Sequence, residues 1–469
     1  MTFCQSACRS SIRNDDPTGA GNLEERKNAD ISELTQMLRS VTEFRDARGI
    51  QYALEFILMV CVVAALAGAE NYREIATVAA NIPQGMLRAL GAEWDYFTQR
   101  YKYPRKTTIW LTLTSVDTAE LDKITGTWLL SQARKHREDD GSYTWEIAID
   151  GKVMRGAWTD ENDKVTLFSA MLQSEAVTIG QVRVPDGTNE ITQVEALINE
   201  IGIQERESVL ATLDAAHSNK ETGELIGGKK NWDYLITLKT DKPALYGKVR
   251  EKIIPVLEKP PHDIMTESKR GRTKIWSCWI TGAEGINYPH IEQIACIRRE
   301  SFNRNDEKIS KEIAIQITSA PPGRLTAAAA NRSTRDHWTV ENKSHYIRDT
   351  VYREDHNQSY TGDGPQALAS LHNLAIGLLR LNGIKSIKET TELIHLDLTR
   401  ALPYMATQSD ACCAVLPPNS PAAWAPADRQ DHRRRHAGFA HPIINEDTRP
   451  VPTALNFREI CPIAGDLTA

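Results

Sequence analysis

The sequence predicts an α/β protein: a mixed sheet with flanking helices and a β-rich insertion, preceded by a helical domain. Three observations carry this. Through residues 31–135 apolar positions recur at three and four residues, which is the helix period. From Trp145 the pattern changes to short alternating or wholly apolar runs bounded by turn residues, the signature of strands. Those runs then alternate with helical stretches, which gives a sheet of mixed strand direction. A chain of 469 residues has room for two to four domains and ample apolar content for a core.

The elements follow in order. Residues 1–30 are polar, with Pro17, Gly19 and Gly21 as breakers, and read as a flexible leader with no secretory signal. Residues 31–135 form the helical domain; its strongest apolar run, Phe56 to Ala69, lies between Glu55 and Glu70. A membrane span needs about 20 apolar residues, so this run predicts a buried core helix and no membrane contact. Asp117 is placed to cap a helix over 118–135. The catalytic-type region, 140–404, starts with three strands, ending near Asp150, Gln173 and Val184 and forming an antiparallel meander. A helix over 191–203, a buried strand ending in Asp214, a short helix over 220–230 and a strand over 232–239 come next. Residues 250–320 read as β-rich insertion, and a long helix is expected from Ala327 to Val351, with Trp338 in the core. The segment 405–469 carries many Pro, Ala and Asp residues and the run His432 to His436, and it reads as disordered.

Eight scattered cysteines, with no paired CxxC elements, argue against a structural zinc site or a disulfide framework and fit a reducing cytoplasm. The net charge of −6 excludes a generally basic nucleic-acid coat but not a local basic stripe. Basic clusters stand at 248–252 and 269–274; taken alone, either is better explained as a solvated face than as a DNA contact.

Chemistry enters through acids. Asp150 closes a strand just before Gly151, and Asp214 closes another before Ala215; strand ends are where α/β proteins place sites. A third acid lies on a helix. His337, Glu341 and His345 are spaced by four and share a face that Arg348 continues. Three carboxylates suit Mg²⁺, which takes oxygen ligands, and two such ions can clamp an in-line phosphoryl displacement. Arg348 is then placed near a phosphate. Lys152 and Arg155, close to Asp150, and His217, three residues after Asp214, are further phosphate-contact candidates; surface solvation is the alternative for the first two and a structural hydrogen bond for His217. Asn189 and Glu190 either line the site or open a helix. If Glu341 is not the third acid, Asp349, Glu354 and Asp355 are the next candidates. From the residues alone, a glycosidase-type carboxylate pair also stays open.

Long motifs in a fixed order resemble the H-repeat-associated, ISAs-type insertion-sequence transposases of the DDE class, from about Thr42 to Tyr404. Residues 52–76 resemble the N-terminal associated domain, and 103–122 the junction after it. Residues 148–157 resemble the first catalytic motif, with Asp150; 188–198 an intervening motif; 211–226 the second, with Asp214; and 337–381 the third, with Glu341. The third also resembles the Tyr-Arg-Glu-Lys signature of related transposases, with His337 in the Arg place and Arg348 in the Lys place.

The resemblance implies a ribonuclease-H-like (retroviral-integrase-like) catalytic domain. It implies two Mg²⁺ or Mn²⁺ ions on Asp150, Asp214 and Glu341. It further implies cleavage at insertion-sequence ends and strand transfer into target DNA. The partners it implies are double-stranded DNA, as terminal inverted repeats and target, and a dimer or higher oligomer on that DNA, in a bacterial cytoplasm at the nucleoid. Lys239, His337 and His345 join the DNA-contact candidates on this basis. Two departures stand out: Lys239-Thr240-Asp241-Lys242-Pro243 replaces the family's Lys-x-Asn-Gln-Pro, and Tyr360 stands where an Arg precedes Thr361-Gly362. A catalytically inactive, DNA-binding descendant is the alternative reading.

Overall fold

In the N-terminal stretch, helices α1 (31–39), α2 (Leu54–Leu66), α3 (Tyr72–Asn81), α4 (Gln84–Ala89), α5 (Lys106–Ser115) and α6 (Thr118–Lys135) follow one another. A small hairpin, β1 (Trp94–Asp95) with β2 (Arg100–Tyr101), separates α4 from α5. This computed structural model describes residues 31–135, 143–158, 164–269, 271–338, 340–357 and 361–406. The expected leader, the tail from 407 with its His432–His436 run, and Tyr360 lie outside the described residues. Helix α2 is the apolar run of the sequence. Twelve of its thirteen residues are buried, as a helix apolar all round requires. No helix among the described residues is long and apolar enough to cross a membrane.

The large sheet has nine strands: β3 (Trp145–Trp158), β4 (Lys164–Leu172), β5 (Val177–Val184), β6 (Val209–Leu213), β7 (Asp233–Leu238), β8 (Asp263–Lys269), β9 (Arg272–Gly282), β10 (Gln293–Phe302) and β11 (Lys308–Thr318). Their order is β5-β4-β3-β6-β7-β11-β10-β9-β8. The expected antiparallel meander is β3-β4-β5. Strand β6 then runs parallel to β3, and β7 parallel to β6. The insertion strands extend the same sheet through β11, antiparallel to β7. The insertion opens on a helix, α9 (Pro243–Leu257), where strand was expected from 250. Pro243 at its first turn is pre-set for helical φ, and Val249, Ile253 and Leu257 make its buried face. The remaining helices are α7 (Val194–Glu200), α8 (Lys220–Gly223, continued by a π turn over Glu224–Lys229), α10 (Ala327–His337), α11 (Tyr346–Thr350), α12 (Gly364–Leu381), α13 (Ile387–Leu396) and α14 (Leu402–Met405).

Two contacts lock the N-terminal helices to the sheet. Helix α6 lies directly on β5: a Cβ at Gly126 would stand 2.4 Å from the Ile179 carbonyl oxygen. One turn earlier Asp122, 5% exposed, accepts hydrogen bonds from Gln181 on β5 and from Gln366 and Ser370 on α12. Burial pushes this carboxyl up to about 6, against the pull of those donors.

The long helix expected over 327–351 is interrupted. Helix α10 ends at His337, and Glu341–His345 form a π turn that leads into α11. Because α10 stops there, Trp338 points outward, 47% exposed, with the Arg299 guanidinium 5.1 Å from its ring; it is not the core residue expected. Behind the π turn lies a buried charge hub. Arg348 Nε donates to Glu354 Oε2 at 2.8 Å, and both side chains are at most 2% exposed. His372 on α12 meets the other Glu354 oxygen at 2.8 Å and the Ala69 carbonyl at 3.3 Å, with Tyr352 stacked on its ring. Burial alone would raise the Glu354 carboxyl; Arg348 and His372 outweigh it and hold the group near 2.

Gly126→Ala should cost about 1–3 kcal/mol in urea unfolding, because the clash is with backbone that cannot rotate away; an unchanged midpoint would show that α6 does not bear on β5. Glu354→Gln should cost about 3–5 kcal/mol at pH 7, since it strands a buried guanidinium. The Glu354 carboxyl is depressed in the fold, so its contribution is full above the ordinary glutamate range and lost as pH falls towards 2. The stability gap between wild type and variant should therefore shrink below about pH 4.5; a gap constant down to pH 3 would contradict the assignment.

Candidate active site

Asp150 does not end its strand. Strand β3 runs on to Trp158, but its parallel pairing with β6 stops at Ile149 opposite Leu213. Asp150 and Asp214 are thus each the next residue after the last paired position of two adjacent parallel strands. A notch opens there, and both side chains border it. The Asp214 side chain accepts from the Ala216 N–H at 3.0 Å, capping the short 3₁₀ turn Ala215–His217. Asp150 accepts from the Gly151 N–H at 2.9 Å. Burial pushes the Asp150 carboxyl up to about 7; the Gly151 N–H pulls the other way, and Glu190, Asp214 and Glu341 add to the rise. These four acids share one field.

Glu341 reaches that field from the π turn. The preceding residue, Val340, is buried in an apolar cluster with Ala148, Met171 and Ala176, so the turn is pinned to β3 and β4. Glu341 itself is exposed. A π turn inside a helical segment is a frequent mark of a functional position.

The fourth acid, Glu190, is the residue that sequence reasoning underrated. Asn189 supplies the helix entry by accepting from the Ile191 N–H, which leaves Glu190 free for another role. Its carboxyl lies over Gly151: a Cβ there would stand 1.8 Å from Glu190 Oε1. Burial and Asp214 raise it above the usual glutamate range. The available signal was Asn189 alone sufficing as a cap.

The imidazoles around the acids do not supply positive charge. Burial takes His337 down to about 4, with Asp214 opposing and His217 adding to the fall; its Nδ1 is 2.8 Å from the Thr212 hydroxyl. Burial, then Arg348 and Lys152, take His345 down to about 3, with its Nδ1 3.8 Å from Asp150 Oδ2. His217 is lowered too, chiefly by burial, and stacks on Phe168 with Nε2 3.9 Å from Asp214.

Five of the expected phosphate contacts lie buried or half-buried. Arg348, 1% exposed, serves Glu354. Lys152, 6% exposed, pairs with Asp349 at 2.5 Å and lies 3.8 Å from Asp355. His217 and His345 are buried beside the aspartates. His337 is half-buried and turned to Thr212. Arg155 and Lys239 remain outward; Lys239 follows β7 directly, at the sheet end where Asp214 follows β6. The reserve third acids are all committed to cations: Asp349 to Lys152, Glu354 to Arg348, and Asp355 to Lys152 and Arg155.

Among the described residues none of Asp150, Glu190, Asp214 and Glu341 is paired with a lysine or arginine. A set of oxygen donors with no protein cation suits a hard divalent ion. Also among the described residues, no three His, Cys, Asp or Glu side chains converge on a ready-formed metal point. The acids lie in one another's field without closing a shell, and the donor chemistry, not a finished geometry, is what fits a metal.

Known proteins bear on the same segments. The DDE_Tnp_1-associated family model matches residues 35–129, and the transposase DDE domain model matches residues 144–378. The "H repeat-associated putative transposase" YhhI of Escherichia coli K12 is 24% identical over 363 residues, 75% of this chain and 91% of that one. Protein YbfL of the same strain gives the same identity and coverage. The H repeat-associated YbfD is 26% identical over 52% of this chain and 91% of its own length. The chain therefore belongs to the DDE transposase family, among its H-repeat-associated members.

Proposed function

We propose that this transposase-family chain cuts DNA at the ends of an insertion sequence and joins those ends to target DNA, with Asp150, Asp214 and Glu341 as its metal-holding acids. The family implies use of divalent metal in general; Mg²⁺ or Mn²⁺, as two ions, is the specific proposal. The observation that carries the reading is Asp150. Burial and three neighbouring acids push its carboxyl to about 7, and none of the four acids has a lysine or arginine partner among the described residues. Asp150, Asp214 and Glu341 would hold a divalent cation, whose charge would offset that repulsion. When bound there, metal would supply activation of an oxygen nucleophile and stabilisation of a leaving oxygen.

The chain's own contributions are positional. Adjacent parallel strands present Asp150 and Asp214 with little freedom, and the Val340 anchor presents Glu341 to them. Neutral His337 and His345 line the acids without competing as cations. Support for a ribonuclease-H-like core comes from the β3-β4-β5 meander joined to parallel β6 and β7. Exposed Arg155 and Lys239 are the cations proposed to meet DNA phosphate. Terminal inverted repeats and target DNA are the proposed partners, engaged by a dimer or higher oligomer at the nucleoid. Family membership displaces the glycosidase reading of the carboxylates.

Asp150→Asn, Asp214→Asn or Glu341→Gln should each lower Mg²⁺-dependent cleavage of a donor plasmid by at least about a thousandfold, equivalent to about 4 kcal/mol, with binding to end DNA retained. Wild-type rates from Glu341→Gln would remove it as the third acid. Wild-type protein that binds ends but never cleaves would favour the inactive descendant. Lys239→Ala should reduce the slope of log K against log salt for end DNA by about 0.9; an unchanged slope would place Lys239 away from phosphate.

A further inference from the structure

We infer that Glu190 is a fourth metal-site acid, held against the Asp150 strand by the missing side chain of Gly151. The inference rests on the reading of Asp150, Asp214 and Glu341 as metal-holding residues.

The geometry separates Glu190 from its neighbours' structural work. Asn189 caps the 3₁₀ turn Glu190–Gln193 that leads into α7, so the turn does not need the Glu190 side chain. Among the described residues Glu190 has no hydrogen bond or ion pair, although it is only half exposed. A carboxylate withdrawn from water without a partner is costly unless something cationic reaches it. A Cβ on residue 151 would stand 1.8, 2.1 and 2.6 Å from Glu190 Oε1, Cδ and Oε2. The whole carboxyl therefore rests on the backbone of the residue after Asp150. Any side chain at 151 would evict it. The loop between β5 and α7 thus brings an oxygen donor to the notch from a fourth element, beside those from β3, β6 and the π turn.

Two divalent ions need more oxygen ligands than three carboxylates provide. Glu190, as ligand or as acceptor for a metal-bound water, enlarges that supply. It would also set affinity, since groups adjoining a metal shell typically contribute about 10–100-fold.

The test measures Mn²⁺ binding to the full chain by calorimetry, alongside the Mn²⁺ dependence of end cleavage and the melting temperature in chelator. Glu190→Gln should weaken Mn²⁺ binding about tenfold or more and shift cleavage to higher Mn²⁺, with Glu190→Asp recovering part of the loss. Gly151→Ala leaves the carboxylate in the sequence but displaces it, and should weaken Mn²⁺ binding in the same way. It serves as the second variant if Glu190→Gln unfolds. Wild-type Mn²⁺ affinity in Glu190→Gln (or in Gly151→Ala, should Glu190→Gln unfold), or a loss confined to the melting temperature, overturns the inference. Asp214→Asn distinguishes the two levels. If Asp214→Asn weakens Mn²⁺ binding and Glu190→Gln does not, only the fourth acid fails; if neither does, the metal reading of the site fails with it.

Discussion

The buried carboxylate of Glu354 is the point on which the arrangement of the third motif depends. It joins Arg348, three residues beyond the π turn, to His372 on α12, whose ring also reaches the Ala69 carbonyl just past α2. One side chain thereby ties the segment carrying Glu341 to the last long helix and to the apolar N-terminal helix. A buried charge is expensive to leave unpaired, so this hub tolerates few alternative positions of the segment. Together with Val340 in its apolar cluster, it fixes where Glu341 emerges.

On that support the site is electrostatically simple. Carboxyls gather where β3 outruns β6. The positive side chains of the region are spent elsewhere, Arg348 on Glu354 and Lys152 on Asp349. The three imidazoles are buried or half-buried, and burial disfavours their charged form. An acidic notch without internal counter-charge suits divalent cations and, through them, phosphate.

The legibility of the site in the sequence was uneven for physical reasons. Asp150 and Asp214 each follow an unmistakable apolar run, and the ends of such runs are readable; for Asp150 that end is where the parallel pairing stops, not where the strand does. The spacing of His337, Glu341, His345 and Arg348 read as one helix face; of these the structure brings Glu341 and His345 to Asp150, and a π turn rather than a straight helix carries them. What spacing concealed was depth. Arg348 and Lys152 have the chemistry of phosphate contacts, yet each is buried against an acid distant or offset in sequence, Glu354 and Asp349. Trp338 erred in the other direction, because the break after His337 turned an apolar side chain outward.

By itself the sequence determined the elements: the all-apolar helix, the meander, the insertion strands and the two aspartates that close apolar runs. These are local, since periodicity and turn residues act over a few positions. Only the tertiary structure decided which charges face each other. The insertion joined the main sheet through β11 and β7, and α6 met β5 at a glycine. Glu190 came to lie on Gly151 across some forty residues of chain, and Lys152 met Asp349 across nearly two hundred. Such meetings depend on where whole elements pack, and no pattern within one element encodes them.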